Sequence, residues 1–245
     1  MKKALYHEDS GLYLEKMRMA FQEHYEKRTD MWSTDPSLTD AAVMSLKAWR
    51  SREKNALASV LDIGCGNGRA LEHLSGLSEY VGIDLYEHEE WERLQKRETV
   101  PVHFVHQDFM SWSMDQGREM QFDLILDHGC FHHQHPDDHE RYLKQVSSLL
   151  QEGGVFSLVV WGEEWKTGLI GEDGRFHFSF SDSQLGERIC SSGLELVSIT
   201  PLKAKAGISQ HHVIAVKIYY KGEQSNEAEV FIVRKSICAS WKSKA

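Results

Sequence analysis

Residues 60–68 read Val60-Leu61-Asp62-Ile63-Gly64-Cys65-Gly66-Asn67-Gly68. An apolar run that suits a buried strand enters three glycines at alternate positions. The glycines allow a tight turn and close approach of backbone to a ligand. Arg69 to Leu77 reads as a helix, so the loop is expected to open a helix N-terminus whose free N–H groups suit a carboxylate or phosphate. The G-x-G-x-G spacing differs from the G-x-G-x-x-G of dinucleotide-binding loops and disfavours a nicotinamide oxidoreductase. The next strand, Val81-Gly82-Ile83-Asp84-Leu85, ends in an acid. A carboxylate there can accept from two adjacent ribose hydroxyls.

Downstream, short apolar runs alternate with polar helical ones. Tyr80 to Leu85, Val102 to His106, Phe122 to Asp127 and Val155 to Trp161 read as strands. His88 to Arg97 and Asp138 to Leu150 read as helices, the second ended by Gly153-Gly154. Such alternation implies a parallel sheet covered on both faces. Ser183 to Ser191 reads as a helix capped by Ser181 or Asp182 and closed by Gly193. Leu194 to Pro201 and His212 to Tyr220 follow with no helix between them, so that pair can be antiparallel. The expected fold is α/β, a Rossmann-like, doubly wound, seven-stranded sheet, mostly parallel with an antiparallel last strand.

Upstream, Leu12, Met17, Phe21 and Tyr25 recur at helical spacing. A second run starts at Thr39-Asp40 and continues through Val43, Leu46 and Trp49. Between them, 30–37 is turn-rich and holds Trp32. The expected division is 1–55 as an N-terminal helical cap, 56–220 as the main domain and 221–245 as a C-terminal extension with one β-like run, Val230 to Val233.

The chain has 245 residues, 41% hydrophobic and 27% charged, which is globular composition for one large domain. Its net charge of -9 disfavours nucleic acid as a partner. Met1-Lys2-Lys3 is followed by no apolar segment, and the longest apolar stretch is far below the ~20 residues that span a bilayer. Cys65, Cys130, Cys190 and Cys238 form no C-x-x-C pair and suit free thiols in a reducing compartment. A cytoplasmic protein with no membrane partner, monomer or homodimer, is expected.

The ordered motifs resemble those of the class I S-adenosylmethionine-dependent methyltransferases over about residues 59–220. The resemblance implies S-adenosyl-L-methionine as cofactor. It places Asp62, Gly64, Cys65, Gly66 and Gly68 around the methionine part and makes Asp84, beside Leu85, the ribose ligand. It turns Asp108 toward the adenine amino group with Phe109 packed nearby, and sets Asp127 at the end of the central strand. Gln151-Glu152-Gly153-Gly154 matches the family's L-x-P-G-G turn with a departure at Gln151-Glu152. Within the family, Asp127-His128-Gly129-Cys130-Phe131-His132-His133 and the Tyr25 to Ser37 segment resemble a small-molecule subgroup near thiopurine, thiol and tellurite methyltransferases.

Three readings compete for the histidines. His132 and His133 suit a general base or substrate contact, because imidazole titrates near neutrality. His128, His132, His133, His135 and His139 lie close in sequence, but no metal is expected, since half should sit on a solvent-facing helix start. They can also be structural. Trp32, His128, Cys130 and Trp165 are candidate substrate contacts. Lys166, Arg175, Lys203 and Lys205 on the rim suit an anionic group or are merely solvated.

The expected reaction is methyl transfer to an O, N or S atom of a small, aromatic or thiol-containing acceptor. No Asn/Asp-Pro-Pro-Tyr/Phe string follows the fourth strand, which disfavours amino-methylation of adenine, cytosine or glutamine. The alternatives are a catalytically silent cofactor-binding subunit of a larger assembly and a methyltransferase acting on a macromolecule.

Overall fold

Leu61 and Ile63 pack into one hydrophobic cluster while Ala58 and Val60 pack into another, the two-residue period of a strand buried on both faces. They belong to β1 (Ala58–Ile63) of a computed structural model describing residues 10–53, 56–162, 169–171, 173–203 and 209–218. Before it come α1 (Ser10–Glu26) and α2 (Pro36–Arg50), joined through a 3-10 turn at Met31–Thr34. After it come β2 (Leu77–Asp84), α3 (Glu90–Arg97), β3 (Val102–His106), α4 (Phe109–Met114), β4 (Phe122–His128), α5 (His139–Leu149) and β5 (Leu150–Trp161). The short strands β6 (Leu169–Ile170) and β7 (Phe176–His177) form a separate ribbon, and α6 (Asp182–Ser191), β8 (Leu194–Lys203) and β9 (Ser209–Lys217) complete the order.

The sheet runs β3-β2-β1-β4-β5-β9-β8. Pairs from β3 to β5 are parallel, and β9 is antiparallel to both β5 and β8. This is the expected seven-stranded, doubly wound sheet with its last strand reversed. The chain crosses from β1 to β4, so the crevice between their C-terminal ends is the switch point where such sheets bind ligands.

The two layers divide cleanly. Tyr13 and Met17 of α1 join Phe109, Trp112, Tyr142 and Leu185 on one face. Ala42, Leu46 and Trp49 of α2 join Leu94 on the other. Asp35 caps α2, accepting the Ser37 amide at 2.9 Å. Ser181 and Gln184 form a capping box on α6, and Gly193 closes it at φ +89.

Several local expectations are corrected. Arg69 to Leu77 is not a helix; only Leu71–His73 forms a 3-10 turn. Gly76 at φ +62 and the start of β2 at Leu77 leave no room for more. Phe109–Met114 is helical because Asp108 accepts the Ser111 amide at 2.8 Å. β5 begins at Leu150, through the turn residues, with Gly153 at φ +79. The β6–β7 ribbon lies within what reads as loop. Residues 1–9, 219–245 and the Val230 to Val233 run lie outside the described residues. No helix among the described residues is long and apolar enough to cross a membrane.

Candidate active site

At the C-terminal ends of β1, β2, β4 and β5 lies a partly covered cleft. Gly64, Asp84, Leu85, Gln107 and Phe109 line one end. His128, His132, His133, Trp161, Arg175 and Gln210 line the other. Met17, Phe21, Tyr25 and Trp32 cover it from α1 and the turn that follows.

The glycine loop is shaped from both sides. Gly64, Gly66 and Gly68 stand at φ +70, +53 and +78, where side chains are strained. Gly64 leaves bare backbone in the cleft, and a Cβ there would lie 3.1 Å from the Cys130 Cβ. Asp84 accepts the Gly66 amide on Oδ2 at 2.8 Å and the Tyr86 amide on Oδ1 at 3.0 Å. Trp91 Nε1 donates to the Gly66 carbonyl at 2.8 Å, its ring stacked on Phe104. Burial pushes the Asp84 carboxyl up to about 6, against the hydrogen bonds that favour its charged form.

Two expected cofactor contacts sit beneath the cleft. Asp62 accepts the Tyr80 hydroxyl hydrogen at 2.6 Å, and burial pushes its pKa up to about 7. Asp127 accepts the Cys130 and Phe131 amides on Oδ1 at 2.9 and 3.1 Å and the Tyr142 hydroxyl on Oδ2 at 2.6 Å. It shapes the turn that carries the histidines. Asp108 lines an adjoining cavity that shares Met17, Leu85, Phe109 and Cys130 with the first. Cys65, Gly66 and Gly68 shape the loop without lining either cavity. Trp165 lies outside the described residues.

The histidines separate by their partners. His128 Nε2 meets Ser157 Oγ at 2.8 Å, and burial pushes its pKa down to about 3. His133 Nδ1 donates to the Phe176 carbonyl at 2.8 Å, which fixes the tautomer and leaves the Nε2 lone pair. His132 stacks on Trp161 with ring centres 4.0 Å apart, and its buried Nδ1 has no partner among the described residues. Burial, then the neighbouring histidines and Arg175, holds His132 and His133 well below the ordinary imidazole range, which favours their neutral forms. His135 and His139 do not line this cleft; both are buried, against the expected solvent-facing helix start, and His135 lines the adjoining cavity. No group of three metal-ligating side chains gathers among the described residues.

Sequence reasoning missed Phe21 and Trp161 as cleft residues. Only the position of Trp161 at a strand end on the crevice side could have signalled it.

A family model described as a methyltransferase domain matches residues 60–154. An uncharacterized methyltransferase of Schizosaccharomyces pombe (strain 972) is 31% identical over 112 residues, 44% of this chain and 75% of that protein. The chain belongs to the class I S-adenosylmethionine-dependent methyltransferases. This methyltransferase is also 29% identical over 119 residues to malonyl-[acyl-carrier protein] O-methyltransferase of Paenibacillus sp. (strain JDR-2), 46% of this chain but only 42% of that protein. Among solved structures it resembles Burkholderia thailandensis 1,6-didemethyltoxoflavin-N1-methyltransferase bound to 1,6-didemethyltoxoflavin and S-adenosylhomocysteine. The TM-score is 0.76 at 27% identity, covering 89% of this chain and 94% of that one. The methyltransferase uses S-adenosylmethionine, and its cleft suits that cofactor. Bare backbone at Gly64 and the Asp84 carboxylate stand at adjacent strand ends, where a Cβ would fill the approach.

Proposed function

We propose that the enzyme methylates an O, N or S atom of a small, flat or thiol-containing acceptor bound at the Trp161 end of the cleft. The observation that carries this reading is the cover. Phe21, Tyr25 and Trp32 line the site from α1 and the following turn, a partial cover that suits a small acceptor better than a macromolecule. Aromatic walls suit a flat molecule. The resemblance to a methyltransferase crystallised with 1,6-didemethyltoxoflavin supports the same reading.

The cofactor supplies the methyl group, already activated on its sulfonium. The protein's work is to position, desolvate and orient. Gly64 and Asp84 would hold the methionine and ribose parts, with Leu85, Gln107, Asp108 and Phe109 around the adenine. Asp62 and Asp127 would act by fixing the loops that carry these contacts. His132 and His133, both neutral, would orient the acceptor by hydrogen bonding, with Trp32, His128 and Cys130 beside it. The free thiols of Cys65 and Cys130 suit a cytoplasmic setting.

The test is a methyl-transfer screen of purified protein against thiols, phenols, hydroxyquinolines and aromatic amines, read as S-adenosylhomocysteine formed. Turnover that depends on one of these acceptors supports the reading. Cofactor binding with methylation only of added protein or RNA would overturn it.

A further inference from the structure

Arg175 lines the cleft although only 5% exposed. Its Nε and Nη2 hold Asp173 Oδ2 at 2.8 and 2.7 Å, and Nη2 also meets His24 Nε2 at 3.1 Å. The guanidinium carbon lies 4.5 Å from the Phe21 ring centre and 5.3 Å from that of Trp32. One edge of the fork is thus spent on Asp173. Among the described residues Nη1 has no hydrogen-bond partner. Gln210, 8% exposed, lines the same end, and its Oε1 likewise has none. The Nη1 donors at the cleft wall are open to an acceptor atom of a ligand, whereas the buried Gln210 Oε1 calls for a donor elsewhere on it.

We propose that Arg175 determines acceptor specificity by holding the acceptor as its conjugate anion, so that the acceptor is a flat molecule with an acidic O–H, S–H or N–H. This rests on the methyltransferase reading and adds to it the ionisation state of the nucleophile. The acceptor sheds its proton to water on binding. Its lone pair then forms the bond to the methyl carbon while the carbon–sulfur bond breaks, and the negative and sulfonium charges cancel. No proton is stored in the protein.

The surrounding groups fit this role. Tyr13 and His24 approach from α1, His132 and His133 from the turn after β4, His177 from β7, and Asp173 from the loop before it. A proton on either cleft histidine would put a second cation beside the guanidinium. Asp173 offsets the net charge of Arg175, yet the Nη1 donors remain for an anionic oxygen, sulfur or nitrogen.

The test uses 4-nitrophenol, whose neutral and anionic forms absorb differently, with protein saturated in S-adenosylhomocysteine. The expected result is the nitrophenolate spectrum at a pH where the free probe is neutral, an apparent pKa lowered by about one unit or more. Arg175→Gln should abolish the shift and weaken binding about tenfold, and Arg175→Lys should keep part of it. A neutral spectrum, no binding, or the same shift in Arg175→Gln would overturn the proposal. Calorimetric titration with S-adenosylhomocysteine separates the two readings. If it fails to bind wild type, the methyltransferase reading falls as well. If it binds wild type but not Arg175→Gln, that variant is misfolded, and the wild-type spectrum with Arg175→Lys decides.

Discussion

Tyr13 donates its hydroxyl hydrogen to the His133 carbonyl at 2.6 Å, across 120 residues of sequence, and accepts the Phe176 amide at 2.8 Å. His133 in turn donates from Nδ1 to the Phe176 carbonyl. A single buried hydroxyl therefore joins the covering helix α1, the histidine turn and β7. Removing it leaves a buried N–H and a buried carbonyl unpaired, at a cost of about 1–3 kcal/mol each. Tyr13→Phe should lower the denaturation midpoint accordingly. It should raise the acceptor KM more than the S-adenosylhomocysteine Kd, because the acceptor end loses its frame. Equal effects on both would contradict this.

The glycine loop makes a sharper stability prediction. At Gly68 a Cβ would lie 2.7 Å from Leu94 Cδ1 and 2.8 Å from Phe104 Cζ, at φ +78. At Gly174, φ +84, nothing lies within 4 Å. Gly174→Ala should cost about 1–2 kcal/mol for the left-handed backbone alone. Gly68→Ala adds overpacking of about 1–3 kcal/mol. Urea denaturation of the two variants should show that order.

Asp62 predicts a pH effect on folding. Its carboxyl is raised from 3.8 to about 7, chiefly by burial. The native state therefore binds the proton more tightly than the unfolded chain. The associated stability is present below about pH 4 and is lost as pH rises toward 7. Asp62→Asn removes that slope while leaving an oxygen to accept from Tyr80. The difference in Tm between variant and wild type should shift in the variant's favour across this window. A constant difference would show that Asp62 is not held in its neutral form.

Much of this was legible in the sequence. Strand–helix alternation from Val60 to Trp161 specifies the parallel sheet because its inner strands β1, β4 and β5 are buried on both faces, and the Ser181 cap and Gly193 closure mark α6. The helix after Gly68 misled because Leu71 and Leu74 carry helical spacing, while Gly76 and the early start of β2 stop it. At the site, the glycines and Asp84 stand out because one segment carries them. Phe21, Trp161, Arg175 and Gln210 come from four distant segments, and only tertiary packing brings them together. Asp127 looks like a cofactor contact by position, but its oxygens face the Cys130 and Phe131 amides and the Tyr142 hydroxyl.

The neutral histidines predict a kinetic signature. His133→Ala should lower kcat while leaving S-adenosylhomocysteine affinity unchanged, since His133 lies at the far end of the cleft from Asp84. Burial holds His132 and His133 well below the ordinary imidazole range. The wild-type pH–rate profile should therefore lack a step near ~6.5. A step there that vanishes in His132→Ala or His133→Ala would establish a general base.

Asp84 should govern the cofactor. Asp84→Ala removes the acceptor for the Gly66 amide as well as the proposed ribose ligand. A loss of charge-assisted hydrogen bonds of about 1.5–3 kcal/mol corresponds to roughly a tenfold to hundredfold rise in KM for S-adenosylmethionine. An unchanged KM would remove Asp84 from the site.

The central claim is that cofactor and acceptor share one cleft, end to end. A crystal structure of the chain with S-adenosylhomocysteine tests it most directly. The account predicts the ribose hydroxyls on Asp84, the methionine part against Gly64 and the sulfur turned toward His133 and Trp161. A ribose away from Asp84, or a sulfur facing away from the histidine turn, would contradict it.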